Sequence, residues 1–348
     1  MSTDAFRGWA LVIDANILLD LYDARGDAIS ELITITKLGI DKYFKIYTTN
    51  FIKYEFNKNR ENKLQTCKKN FAEVESKLQV NIPNMYKSDS TLYTSFTRNL
   101  EKAKKDLKNL GEKFEEDLNN NNINIDKVVL DYFQNCEEIT FDENIYTEAL
   151  KRHHLSMCPG KGDTLGDQIN WLILLHKIPS NKSLVLVSKD SDYGSSLDKS
   201  KIKSVLSQEF SKLHNNQKIV LADSLKKITV HQLKLYEEVS RPKRKELIRT
   251  LKESGSYSET HIIIKDLVSF LVFSDADILE LLKIAQENSQ VGGIIKDNDV
   301  ESFYASLAIN KSHDLSTDTK KQLKKWLKEN NIDIELIKIL GSIENRQP

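Results

Sequence analysis

At 348 residues, 39% hydrophobic and 29% charged, the chain has room for one large domain or two ordinary ones and falls outside the disordered class. Its 51 Lys+Arg and 51 Asp+Glu cancel, which excludes a globally basic nucleic-acid binder; any affinity for a polyanion has to come from local patches or bound cations. Three widely spaced cysteines, Cys67, Cys136 and Cys158, argue against a disulfide framework, and neither a signal-peptide pattern nor a bilayer-length apolar run is present, so a cytoplasmic protein with no membrane partner is expected.

The first predicted element is a strand over 10–14, where Leu11, Val12 and Ile13 form a short apolar run that ends on Asp14. A helix carrying Asn16 follows over about 15–22, then a helix over 28–38, the strand KIYTT (45–49), and one long helix or two over 50–79. Pro83 breaks the pattern. Residues 90–118, with Lys, Glu and Leu at helical spacing, read as an exposed helix or hairpin, and NNNNIN (119–124) reads as a loop. Short helices are expected over 126–135 and 142–153.

The Gly-rich CPGKGDTLGD (158–167) leads into the apolar helix QINWLILLHK, then the strand SLVLVS (183–188), and a further strand within KIVLADSL (218–225). This alternation predicts an α/β fold with a parallel sheet covered on both faces. From about 232 the pattern is helical without strands. The expected organisation is therefore one domain over 1–235, with a helical insertion at about 60–135, and an α-helical C-terminal domain over 236–348.

Four carboxylates stand out by location. Asp14 follows the first strand, Glu55 shares a helix face with Ile52, Phe56 and Asn59, Asp167 opens a very apolar helix, and Asp190 closes LVLVSKD with Asp192 two residues on. In open parallel sheets, functional groups collect at the carboxyl ends of strands and the helix starts that follow. Clustered carboxylates repel, and a hard divalent cation with oxygen ligands relieves that repulsion. Such a cation also activates water and stabilises charge at a phosphodiester. Each acid alone has an ordinary reading: Asp14 or Asn16 as an N-cap, Glu55 as a helix-surface residue, Thr164 with Asp167 as a capping box, Asp190 and Asp192 as turn residues. Their ordered set favours the functional reading. Among cationic groups, Lys161 lies beside two glycines and suits a phosphate; Arg152 is a second candidate for such a contact, and Arg60 belongs to a basic run after Glu55 that can guide an anionic backbone. DSDYG (190–194) is not a calcium loop, since position twelve is Lys201, and His153, His154 and Cys158 lack the partners of a zinc site.

LVIDANILLDLY, YTTNFIKYEFNKNR, GDQINWLILL and LVLVSKDSDY resemble, in order, the Asp, Glu, Asp, Asp motifs of the PIN domain nucleases, with Ser188 two residues before the last Asp. The PIN-like branch with a C-terminal helical extension is most similar: its R…PGxxD…GD…W pattern resembles Arg152, Pro159, Gly160, Asp163, Gly166, Asp167 and Trp171. The resemblance covers about 10–225. It implies a PIN-like central parallel sheet flanked by helices, with Asp14, Glu55, Asp167 and Asp190 as catalytic carboxylates holding one or two Mg²⁺ or Mn²⁺ ions. Asp163 or Asp192 would be an extra ligand, with Asp167 preferred to Asp163 as the third carboxylate, and Asn16 and Ser188 would serve water or substrate. The implied activity is metal-dependent phosphodiester hydrolysis, on RNA foremost, with single-stranded or structured DNA as alternatives, in a setting such as RNA decay, a toxin or phage defence. The competing reading is a non-catalytic PIN-like scaffold that binds nucleic acid or protein. The C-terminal domain reads as a regulatory module open to a protein partner.

Overall fold

The computed structural model describes residues 6, 8–23, 28–78, 90–160, 165–309 and 315–332. The chain forms two compact units, Ala5–Ile228 and Thr229–Pro348.

In the first unit, β1 (Ala10–Ile13) leads into α1 (Ala15–Leu19), which tightens into a 3-10 turn over Asp20–Tyr22. Then come α2 (Ala28–Ile40), β2 (Lys45–Thr49), α3 (Asn50–Lys77), α4 (Ser90–Asn119), α5 (Asn124–Gln134), β3 (Glu137–Ile139), α6 (Glu143–His154), α7 (Gly166–Lys177), β4 (Leu184–Val187), α8 (Ser204–Leu213) and β5 (Ile219–Ala222). The five strands form one parallel sheet in the order β3-β2-β1-β4-β5. All four residues of β1 and of β4 are buried, as expected of central strands covered on both faces. The chain builds outward from β1 through β2 to β3, then returns to the other side of β1 to lay down β4 and β5. The strand order therefore reverses between β1 and β4, and the crevice at their carboxyl ends is where such sheets place ligands.

β3 was absent from the sequence expectations. It is three residues long, Glu137-Glu138-Ile139, and lies at the sheet edge with both glutamates exposed, so it carries no apolar run. In the insertion, α3 and α4 run alongside one another through Phe71 against Phe114, ring centroids 5.5 Å apart, and a Lys68–Glu115 ion pair.

α9 (Leu225–Glu253) enters the second unit, which contains α10 (Tyr257–Val268), α11 (Asp275–Glu287), α12 (Ser289–Gly292), α13 (Asn298–Ile309) and α14 (Thr317–Glu329). Its core is aliphatic and aromatic: Phe273 meets Phe303 edge-on, and Tyr304 packs on Trp326. Arg244 is fully buried in this unit, paired with Glu237 and Asp277, while Asp277 also closes the capping box of α11 with Ser274. Removing one partner of a buried pair leaves the other charge desolvated. Asp277→Ala is expected to cost the second unit about 3–5 kcal/mol, read as an earlier urea transition. A cost below about 1 kcal/mol would show the pair to be dispensable.

Candidate active site

Asp14 extends the β1–β4 ladder by one hydrogen bond, its N–H donating to the Val187 carbonyl at 2.9 Å. This fixes its side chain at the point where the strand order reverses. Asp14 occupies the N-cap position of α1, yet its carboxylate does not take the capping hydrogen bond. Its Oδ2 accepts instead from Ser188 Oγ at 2.5 Å and from Asn16 Nδ2 at 2.9 Å. The Asp14 carbonyl begins the helix, accepting from Ile17 N at 3.1 Å.

Ser188 and Asn16 have structural duties that sequence alone assigned to water or substrate. Ser188 is 1% exposed; its hydroxyl donates to Asp14 and accepts from the Asp190 N–H at 3.0 Å. Its hydroxyl thus ties the Asp14 carboxylate to the backbone of the turn that carries Asp190. Asn16 bridges Asp14 and Ser188 and receives the Lys189 N–H on Oδ1 at 3.4 Å, joining the start of α1 to the turn after β4. Asp190 Oδ1 accepts from the Asp192 N–H at 2.8 Å, forming an Asx turn, and Asp192 is itself buried at 3% exposure.

Glu55 comes in from α3. Thr49 Oγ1 accepts from Ile52 N, capping that helix, and donates to Asn170 Oδ1 at 3.0 Å. Asn170 Nδ2 then donates to Glu55 Oε2 at 3.2 Å. This relay from β2 through α7 holds the carboxylate. Gly166, the first residue of α7, is needed for close approach: a Cβ there would stand 3.1 Å from Glu55 Oε1 and 3.1 Å from the Phe51 ring. Gly160 is needed for conformation, with φ of +124° and the Gln168 side chain occupying the space of any Cβ.

The electrostatics show that the four acids face one region. Burial and then the Asp14 charge push Glu55 up to about 7, with Asp167 adding to the rise and the Asn170 hydrogen bond opposing it. Burial raises Asp14 above the ordinary carboxylate range against the Ser188 hydrogen bond, and the Asp190 charge contributes. Tyr193, 3% exposed, has its hydroxyl pushed far up by burial and then by Asp14, Asp167, Asp190 and Glu55 together. Tyr193 and the Thr49–Asn170 relay were missed from sequence. The available signal was a polar Asn within the apolar INWLILL, one turn after Asp167.

Two residues expected to contact substrate are engaged in ion pairs within the protein. Arg152 is 5% exposed and donates to both carboxylate oxygens of Glu209 and to the Cys158 carbonyl; Trp171 Nε1 also donates to Glu209 at 2.9 Å. Arg152 thus clamps α6 to α8 and to the segment leading toward α7. Arg152→Ala is expected to cost the first unit about 3–5 kcal/mol in denaturant unfolding. A weakened KM with unaltered stability would restore the substrate-contact role. Arg60 makes a bidentate pair with Asp126, which also accepts from the Tyr22 hydroxyl, so its guanidinium joins α3 to α5. Lys161 and Asp163 lie outside the described residues.

Among the described residues, no three His, Cys, Asp or Glu side chains are grouped so that they could hold a metal ion as they stand. The donor set nonetheless fits a hard divalent cation. All four candidate donors are carboxylates, burial and then the neighbouring acids hold Asp14 and Glu55 up, and Mg²⁺ needs only one or two carboxylates alongside water.

A parallel sheet with acidic side chains gathered at its switch point is the architecture of a metal-assisted hydrolase or binding protein of the α/β class. A PIN domain family model matches residues 11–193, just over half of the chain, and the chain belongs to the PIN domain family, whose members are generally metal-dependent nucleases. No curated protein and no solved structure matches it. Among the described residues, no helix is long and apolar enough to cross a membrane.

Proposed function

We propose that the protein is a divalent-metal-dependent nuclease that hydrolyses phosphodiester bonds, with RNA as the favoured substrate. The observation that carries this reading is that Asp14, at the end of β1, is tied through Ser188 to the turn carrying Asp190 at the point where the strand order of a PIN-family sheet reverses. Asp14, Glu55, Asp167 and Asp190 would hold Mg²⁺ or Mn²⁺. When bound, the cation supplies positive charge that favours water deprotonation and stabilises the phosphodiester as its charge develops. The chain's own residues set the donors in place. Ser188 and Asn16 fix the Asp14 carboxylate, the Asx turn fixes Asp190, and the Thr49–Asn170 relay fixes Glu55. In the metal-free protein Glu55 must give up a proton held near neutrality before it can serve a cation, so cation binding should strengthen as pH rises through about 7.

Asp163 and Asp192 remain proposed extra ligands and Lys161 a proposed phosphate contact. The second unit is proposed as a regulatory module for a protein partner, and the setting as a cytoplasmic toxin or phage-defence nuclease. The deciding experiment is a Mn²⁺ and Mg²⁺ cleavage assay on RNA, single-stranded DNA and duplex DNA. Cation-dependent cleavage with RNA preferred supports the reading. No cleavage across the panel, together with no stabilisation by either cation, leaves a non-catalytic scaffold.

A further inference from the structure

Two lysines from separate elements converge on one carboxylate beside the candidate ligands. Lys189, in the turn between Ser188 and Asp190, donates from Nζ to Asp20 Oδ2 at 2.6 Å. Lys63, on α3, reaches Asp20 Oδ1 at 3.5 Å and Asp23 Oδ2 at 2.7 Å. Both lysines are tethered to the site by the backbone. The Lys189 N–H is held by Asn16, and Lys63 stands at i+8 from Glu55, roughly 12 Å along the same helix. The side chain of Lys189 is 54% exposed and that of Asp20 39%, so their ion pair is of the weak, exchangeable kind, worth about 0–1 kcal/mol. The strand tip itself is already fixed by the Ser188 and Asn16 hydrogen bonds. A chain with no net charge needs local cations to hold a polyanion beside four carboxylates, and here Asp20 lies between two ammonium groups, close to Lys189 and at 3.5 Å from Lys63, whose nearer partner is Asp23.

We propose that Lys63 and Lys189 form a seat for a backbone phosphate of the nucleic-acid strand next to the scissile position, and that Asp20, which holds Lys189 and touches Lys63 while Asp23 holds Lys63 more closely, neutralises this seat until the strand displaces it. This inference rests on the nuclease reading above. Asp20 is then a competitor of substrate, which gives the seat an unusual signature: removing an acid from the rim improves binding, whereas a purely structural ion pair predicts no gain.

The test is fluorescence anisotropy of a short labelled single-stranded RNA over a salt series, on the Asp190→Asn chain to suppress cleavage, with melting temperature measured for every variant. Adding Lys63→Gln or Lys189→Gln is expected to weaken binding and flatten the log–log salt slope by about 0.7 each, the value for one lost phosphate contact on a single strand. Lys189→Arg should retain binding. Asp20→Asn should tighten it about 2- to 5-fold, the factor that a surface ion pair of up to about 1 kcal/mol represents. If Asp20→Asn leaves affinity unchanged or weaker, or the lysine variants shift only the melting temperature, the seat is overturned while the nuclease reading stands on wild-type cleavage. If the wild-type chain cuts no nucleic acid and the reference chain binds none, both fall.

Discussion

Asp14→Asn is expected to abolish cleavage, by about a thousandfold or more, while making the metal-free protein more stable. The loss corresponds to about 4 kcal/mol of transition-state stabilisation. It follows from removing a charged oxygen donor at the point where the strand order reverses. Asparagine keeps a carbonyl oxygen that can accept from Ser188, so the local hydrogen bonding survives and misfolding is not the cause. The gain arises because burial disfavours the Asp14 carboxylate in the folded protein, and its charge in turn raises Glu55. Neutralising it removes that buried charge and lets Glu55 ionise more easily. Cleavage kinetics and thermal melting in EDTA, on the same two preparations, check both halves. A variant that melts lower and still cuts at the wild-type rate would dispose of the catalytic role.

The second large effect is on pH. In the folded protein Glu55 sits at about 7 against an ordinary 4.5. Between those values the native state binds more protons than the unfolded chain, so stability falls as pH rises through the window and is level above it. With solvent screening allowed for, the decline should be on the order of 2 kcal/mol. Asp14, also raised, contributes with the same sign. Glu55→Gln should remove most of the slope, because it cannot ionise. Saturating Mn²⁺ should remove it as well, since a cation holds the carboxylate ionised and stabilises the native state by mass action. Melting curves of the metal-free protein from about pH 5 to about pH 8 read this directly. A stability that climbs across the window would contradict the crowded-carboxylate picture.

The sheet was legible because its central strands are apolar runs: KIYTT occupies β2 as expected, and the runs around Leu11–Ile13 and Leu184–Val187 became β1 and β4. The acids at their ends could be ordered from sequence because strand tips and helix starts fall on one edge of a parallel sheet. β3 escaped because an edge strand of two glutamates and an isoleucine has no hydrophobic signature. The partners of Arg152 and Arg60 were missed for another reason. A sequence shows a cation near a motif but not its partner, and Glu209 and Asp126 lie 57 and 66 residues away. The supporting relay through Thr49 and Asn170 spans 121 residues and was invisible on the same ground. Ser188 shows the intermediate case: its place before Asp190 marked it as part of the site, while only the structure revealed that it serves Asp14.

Mn²⁺ can be titrated into the metal-free wild-type and Asp190→Asn proteins while heat of binding and RNA cleavage are followed together. Cleavage that grows with cation occupancy in the wild type, and is lost with cation affinity in the variant, is the predicted result. Cleavage that persists in excess EDTA, or at full rate in the Asp190→Asn chain, would contradict a cation held by carboxylates at the tips of β1 and β4.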